Sequence, residues 1–237
     1  KRIRFNSWSI LDQPHDEDGN PLAILDCSIF SEGAVSESVR SKPLTILGDL
    51  TLYLLQNNYV MLADWNVGGT FETIAYLNDP RYTFDTGEYN LNIGTNFKVS
   101  NTYGTPADIY LRNGTHTIGE DFIMASYDTF QCNLYLGNST LNIGGSLNFK
   151  RASIFPGNST VNFINAGKVS SLYAPIDYPL KPAEDIIGLM PFWNITSTVP
   201  GKTIRIQTGE TLGISGKLTL TGANGNNLLL RNVTPGT

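Results

Sequence analysis

Leu91-Asn92-Ile93-Gly94, His116-Thr117-Ile118-Gly119 and Leu141-Asn142-Ile143-Gly144 set one four-residue frame three times, and Trp65-Asn66-Val67-Gly68 opens the series. The interval from Gly68 to Gly94, Gly119 and Gly144 is constant to within a single residue. A fixed interval of that size marks a solenoid, whose coils cannot bury an apolar face alone and must stack. Inside each frame an inward residue, a polar one and an apolar one alternate, the period-two pattern of a strand with one buried face. The pattern resumes after each glycine, with Phe71, Phe97, Phe122 and Leu147 three positions on and Thr73, Val99, Met124 and Phe149 five positions on. A third strand closes the coil, since Ile109 and Leu111 return at the same interval as Leu134 and Leu136. Three short strands and three turns per coil predict an all-β chain, a right-handed parallel β-helix (a solenoid with coils of about 20–26 residues). A two-sheet β-sandwich fits worse, because the interval is fixed and hairpin turns do not punctuate the strands.

Outward from this frame the columns extend in both directions. Val161-Asn162-Phe163 repeats Leu141-Asn142-Ile143 at a shorter interval, so one coil has a trimmed turn. Gly48-Asp49-Leu50-Thr51-Leu52 echoes Gly216-Lys217-Leu218-Thr219-Leu220 near the other end. Glycine at such corners serves either where a Cβ would clash or where φ must be positive. Four regions follow. Residues 1–40 carry no anchor but contain two strand candidates, Arg4–Leu11 and Leu22–Phe30, and read as an irregular N-terminal β appendage, a cap or a segment for exchange. Residues 41–170 are the regular β-helix. Residues 171–193 break the pattern with Pro175, Pro179, Pro182 and Pro191, and Pro182-Ala183-Glu184-Asp185 is able to open a short helix. Residues 194–237 return to strands and glycine turns, and are expected to be truncated or completed by a neighbour.

The last region carries a resemblance. Phe192-Trp193-Asn194-Ile195-Thr196, Pro200-Gly201-Lys202-Thr203-Ile204, Gly216-Lys217-Leu218-Thr219-Leu220 and Asn227-Leu228-Leu229-Leu230-Arg231 are similar to repeat units of large secreted bacterial β-helix proteins, adhesin-like surface proteins among them. The likeness is close from Phe192 onward and only stylistic over the earlier coils. It implies a right-handed parallel β-helix outside the cell, acting as a structural or adhesive protein, a subunit of a filament or surface assembly. The chain opens on Lys1 rather than Met and stops inside what would be a further unit, which predicts a trimmed product or a fragment.

Composition narrows the partners. Charged residues make up only 16% of the 237, and the formal net charge is -5. With no basic patch to neutralise phosphates, a nucleic-acid partner is not expected. No apolar run approaches the roughly 20 residues of a membrane span. An open solenoid end presents strand edges to another chain, so head-to-tail self-association is expected, with surface glycans as the other candidate partner.

Candidate sites are few. His116 falls in an inward column between Leu91 and Leu141 and reads as a buried, hydrogen-bonded histidine rather than a catalytic one. Asp16, Asp18 and Asn20, in an acidic stretch, offer oxygen ligands to calcium, although Asp18-Gly19 is equally a turn signal and the spacing departs from a calcium-binding EF-hand loop. Sequons stand at Asn113, Asn138, Asn158, Asn194 and Asn232; Asn113 and Asn138 are one coil apart and are expected to stack at one corner, in left-handed turn positions and as a hydrogen-bonded ladder. Cys27 and Cys132 are either a disulfide pair or two small buried hydrophobes, the Cys132 strand fitting an inward column poorly. The densest charge cluster is Asp79, Arg81, Asp85 and Glu88, all in one long turn. That arrangement reads as a solvated loop more readily than as the facing carboxylates of a glycosidase or lyase. Tyr110 and Tyr135, one coil apart and outward, are the one hint of a carbohydrate-binding module. No catalytic residue is nominated, no cofactor beyond the calcium, and the chain is read as a non-enzyme.

Overall fold

Alternating side chains on three short strands per coil leave one geometric solution, in which each strand pairs in parallel with its equivalent one coil away. The computed structural model describes residues 2–5, 28–31, 43–54, 59–75, 82–101, 106–126, 132–149, 152–173, 189–208 and 211–232. Among these, every strand pairs in parallel, no helix occurs, and the strands gather into long sheets. A ten-stranded sheet runs from Arg2–Phe5 and Ser28–Ser31 through Leu50–Leu54, Phe71–Ala75, Phe97–Asn101, Phe122–Ser126, Leu147–Asn148, Val169–Tyr173 and Thr203–Ile206 to Leu229–Asn232. An eight-stranded sheet contains Leu44–Ile46, Trp65–Val67, Leu91–Ile93, Thr115–Ile118, Thr140–Ile143, Thr160–Phe163, Asn194–Ser197 and Leu218–Leu220. A five-stranded sheet contains Tyr59–Val60, Tyr82–Asp85, Ala107–Tyr110, Cys132–Tyr135 and Ala152–Phe155, and Leu189–Phe192 pairs with Thr211–Ile214 in the last coils. The fold is a parallel β-solenoid.

The anchor frame sits in the eight-stranded sheet in the register that the spacing demands: Trp65, Leu91, His116 and Leu141 form one column and Val67, Ile93, Ile118 and Ile143 the next. All eight are buried. Phe71, Phe97 and Phe122 stack inside the ten-stranded sheet with ring centroids 5.2 and 4.7 Å apart, each such pair adding about 0.5–1.5 kcal/mol beyond its burial. Leu147 pairs with Phe122 and Leu172 with Leu147, so the column outlasts the glycine series.

The glycine corners have a steric cause. A Cβ on Gly94 would fall on the carbonyl oxygen of Gly68, one on Gly119 on that of Gly94, and one on Gly144 on that of Gly119. None of these residues has a positive φ, so close approach between coils, not conformational freedom, selects glycine here. The next positions account for recurrent Asp and Asn at the corners. Where the ladder lapses at a corner, a side-chain oxygen replaces the carbonyl: Thr70 N donates to Asp49 Oδ1 at 2.7 Å, Asp121 N to Asn96 Oδ1 at 3.1 Å and Ser146 N to Asp121 Oδ1 at 2.7 Å. A second corner does the same, with Asn90 N bonded to Asp64 Oδ1 at 2.8 Å and Thr115 N to Asn90 Oδ1 at 2.9 Å. Each bond satisfies a backbone donor that the ladder leaves open.

Two readings need correction. The echo between Gly48–Leu52 and Gly216–Leu220 does not mark equivalent places, because Leu50–Leu54 lies in the ten-stranded sheet and Leu218–Leu220 in the eight-stranded one. Any corner followed by an in-out-in strand reads alike. Cys132 does fit an inward column: it is buried and in register with Ala152. The N-terminal segment, where the sequence shows no anchor, supplies the first two strands of the ten-stranded sheet, Arg2 pairing with Ser28 and Ile29 with Leu50. The short helix anticipated at 182–185 lies outside the described residues.

Candidate functional site

Among the described residues, outward side chains of the five-stranded sheet make the densest cluster of chemistry. Asp85, Tyr110, Tyr135 and Phe155 occupy one column in strict register. Tyr110 and Tyr135 stack with centroids 4.4 Å apart and planes within 6°, and Tyr135 and Phe155 stack at 4.5 Å and 9°. Arg112, from the turn after Tyr110, lays its guanidinium over the Tyr110 ring at 4.6 Å. It also grips Asp85 as a fork, Nε lying 3.1 and 3.0 Å from the two carboxylate oxygens and Nη2 2.6 Å from Oδ2. Asp85 Oδ1 accepts a further bond from Gly87 N at 2.8 Å. Those bonds to Asp85 are the main cause that raises the Arg112 pKa above its ordinary value. The Tyr110 phenol is also raised, chiefly by burial and then by the Asp108 charge.

This geometry decides what the aromatic row can do. A sugar ring packs on an open aromatic face, yet these faces are turned on one another along the stack and one end is covered by the guanidinium. Phe155, 45% exposed, ends the stack. The row is therefore a cross-coil clasp in which the charged pair closes an aromatic column. Asp85 pairs with Arg112 of the next coil; Asp79 and Arg81 lie outside the described residues, and Glu88 turns to another ladder. Beside the column, buried Asp108 accepts a bond from Asn133 Nδ2 at 2.8 Å.

That other ladder climbs the neighbouring turn. Asn138 Nδ2 donates to Asn113 Oδ1 at 2.9 Å, and Asn113 Nδ2 to Glu88 Oε2 at 2.5 Å. The ladder is as expected, but the left-handed residue is the one before each asparagine: Arg112, Gly137 and Gly157 have φ of 50, 63 and 54°, and Gly87, before Glu88, has 60°. An arginine there carries a backbone cost of about 1–2 kcal/mol, offset by its bonds to Asp85 and its stacking on Tyr110. Asn158 is exposed in the equivalent turn, Asn194 accepts a bond from Lys217 N at 2.8 Å, and Asn232 is exposed on Leu229–Asn232.

His116 is buried as the spacing requires, with Nε2 2.7 Å from the Leu111 carbonyl oxygen. Its Nδ1 meets no hydrogen-bond partner among the described residues. Burial pushes its pKa below the ordinary value, against smaller opposing effects of the Leu111 carbonyl and Asp64. Gly114 makes room for the ring, since a Cβ there would stand 2.8 Å from His116 Cε1.

Sequence reasoning missed Lys202. Its side chain is fully buried and its Nζ donates to the carbonyl oxygens of Asn165 at 2.7 Å, Lys168 at 2.9 Å and Gly144 at 3.4 Å. Burial first, and the Lys168 ammonium second, push it down to about 8. Lys168 itself pairs with Glu120 at 2.6 Å. The partners are backbone oxygens, which leave no trace in a side-chain pattern; the one available signal was the lysine inside Gly201-Lys202-Thr203 of the repeat-like unit.

Asp16, Asp18, Asn20 and Cys27 lie outside the described residues. Among the described residues no three His, Cys, Asp or Glu side chains gather in a way that suits a metal ion, and no helix is long and apolar enough to cross a membrane. The fold and this clasp define the class, a parallel β-solenoid braced by side-chain ladders between coils. No protein-family model, curated protein or solved structure matches the chain.

Proposed function

We propose that the chain is an extracellular structural or adhesive element, a stacking unit of a filament or surface assembly, and not an enzyme. One observation carries this reading: the outward side chains are bonded to one another from coil to coil, in the Asp85–Arg112 pair and the Asn113–Asn138 ladder, and so brace the stack. Leu218 continues the column of Val161 and Ile195, and Leu230 that of Ile204. Ile195 and Ile204 are each 2% exposed, whereas Leu218 and Leu230 are 46% and 48% exposed, Leu230 in an open cleft that Leu220 and Leu228 help to line. A parallel strand edge with exposed apolar side chains favours addition of a further strand, and either a continuation of the chain or a second copy stacked there would continue the sheets. Asp85, with both oxygens held by Arg112 and one also by Gly87 N, serves here as a fixed structural anion. The sparsely charged, Asn- and Thr-rich surface and the resemblance to secreted β-helix proteins support an extracellular setting.

The test is sedimentation of the wild type beside a Leu218→Glu/Leu230→Glu variant with an unchanged far-UV β spectrum. The wild type should associate with rising concentration and the variant remain monomeric. A wild type that stays monomeric at high concentration, or a variant that assembles equally, refutes the stacking role. Release of oligosaccharide from a polysaccharide, lost in Asp85→Asn, would overturn the non-enzymatic reading.

A further inference from the structure

The outer face of the eight-stranded sheet is a two-dimensional grid. On four successive strands the outward pairs are Thr115 and Thr117, Thr140 and Asn142, Thr160 and Asn162, and Asn194 and Thr196. Pairing sets Thr115, Thr140, Thr160 and Asn194 in one column and Thr117, Asn142, Asn162 and Thr196 in the other. None of the eight is buried. Asn90 and Asn92 extend the grid by one more coil, and Asn66 and Thr219 extend the second column at its two ends.

Backbone geometry fixes the spacings. Rows lie about 4.8 Å apart along the solenoid, and columns about 6.6 Å apart, twice the rise per residue of a parallel strand. Side-chain bonds hold the amides in place: Asn92 Nδ2 to Asn66 Oδ1 at 2.9 Å, Asn142 Nδ2 to Thr117 Oγ1 at 3.4 Å, and Asn162 Nδ2 to Asn142 Oδ1 at 3.1 Å. Each amide still has a second proton and each oxygen a second lone pair. One rim is the corner of Gly94, Gly119 and Gly144, where coil-to-coil contact forbids even a Cβ, and Ile164, 39% exposed, holds the equivalent place on the next coil.

The other faces differ in kind. The ten-stranded sheet points Glu72 and Lys98 outward, and the five-stranded sheet carries the Asp85–Arg112 pair with its aromatic stack. Asp64 and Lys217 close the first column at its two ends; between them the grid carries no charge and selects a neutral partner. A grid without aromatic rings gives a sugar's apolar face nothing to stack on. A partner matched to a fixed period in two directions is itself periodic in two directions, on the scale of hydrogen-bonded oxygen rows. We propose that this face binds ice, with the Thr hydroxyls and Asn amides taking positions of lattice water. The repeat of the coils is close to the shorter oxygen spacing of hexagonal ice, and the alternation of the strand is somewhat less than the longer one.

The experiment grows an ice hemisphere from a dilute solution of the fluorescently labelled chain and follows crystal shape under the microscope. The wild type should enter the ice and facet its growth. Thr117→Lys/Thr140→Lys should lose both effects while keeping the wild-type β spectrum and melting temperature, and Lys98→Ala on the ten-stranded sheet should keep them. Should the double variant unfold, Asn92→Lys at the grid's edge gives the same readout with one substitution. Exclusion of the wild type from ice overturns the proposal, as does unchanged incorporation of folded grid variants. Retention on crystalline cellulose in place of ice, lost in the same variants, overturns it in favour of a glycan surface.

Discussion

Acidification should loosen this solenoid at its centre, through one imidazole. His116 donates Nε2–H to the Leu111 carbonyl, and a proton added at Nδ1 would be buried with no acceptor among the described residues. Its pKa is lowered from 6.5 in the folded chain, chiefly by burial. Above 6.5 neither folded nor unfolded imidazole is charged, and the residue makes stability independent of pH. Below 6.5 the unfolded chain binds a proton that the folded one refuses, so stability falls with falling pH at up to about 1.4 kcal/mol per unit. The loss ends once pH passes the depressed folded value. Urea unfolding of the wild type and of His116→Leu, from neutral pH to about two units below 6.5, isolates the effect, because leucine matches Leu91 and Leu141 in the same column. The difference between the two midpoints should change with that slope. Parallel curves would show that the buried ring accepts the proton without cost, and the argument from its missing partner would be wrong.

Ile118→Asp should unfold the middle coils, because it buries an uncompensated charge between Ile93 and Ile143, at a cost of several kcal/mol. Thr117→Asp, one residue away and outward, should shift stability by no more than about 0.5 kcal/mol; equal thermal melts for the two variants would refute the register. Lys202 gives a pH trend of separate origin, at the alkaline end. The folded chain releases its proton near 8 while the unfolded chain holds it to 10.5, so stability should rise with pH across that window. Lys202→Met should flatten the rise and cost about 1–3 kcal/mol for each carbonyl left without a donor. A wild type with no rise in chemical denaturation midpoint over that window would mean that the three carbonyls hold the charge against burial.

The solenoid was legible because parallel stacking returns the chain to the same environment every coil, and Gly94, Gly119 and Gly144 meet the same carbonyl each time. Columns such as Ile93, Ile118 and Ile143 could be written down from spacing alone. What the spacing hid lies across coils rather than along them. Asp85 read as one member of a charged turn with Asp79, Arg81 and Glu88, whereas its bonds go to Arg112 on the next coil. Phe155 escaped the pairing of Tyr110 and Tyr135 because the trimmed coil brings it back early, by the same shift already visible between Asn142 and Asn162. Lys202 was invisible, since backbone carbonyls have no letter in the sequence.

The corner glycines also govern how such a chain is able to change. From Ile93 to Phe97, Ile118 to Phe122 and Ile143 to Leu147 the link is always three residues, and an extra one would turn every following side chain of that coil inside out. The link that leaves the ten-stranded sheet varies instead, from three residues between Asn148 and Ala152 to fifteen between Tyr173 and Leu189. Each coil thus keeps its own reading frame and resets it at the variable link. An insertion there is confined to a single storey, and grafted loops of quite different length should leave the storeys above and below unaltered.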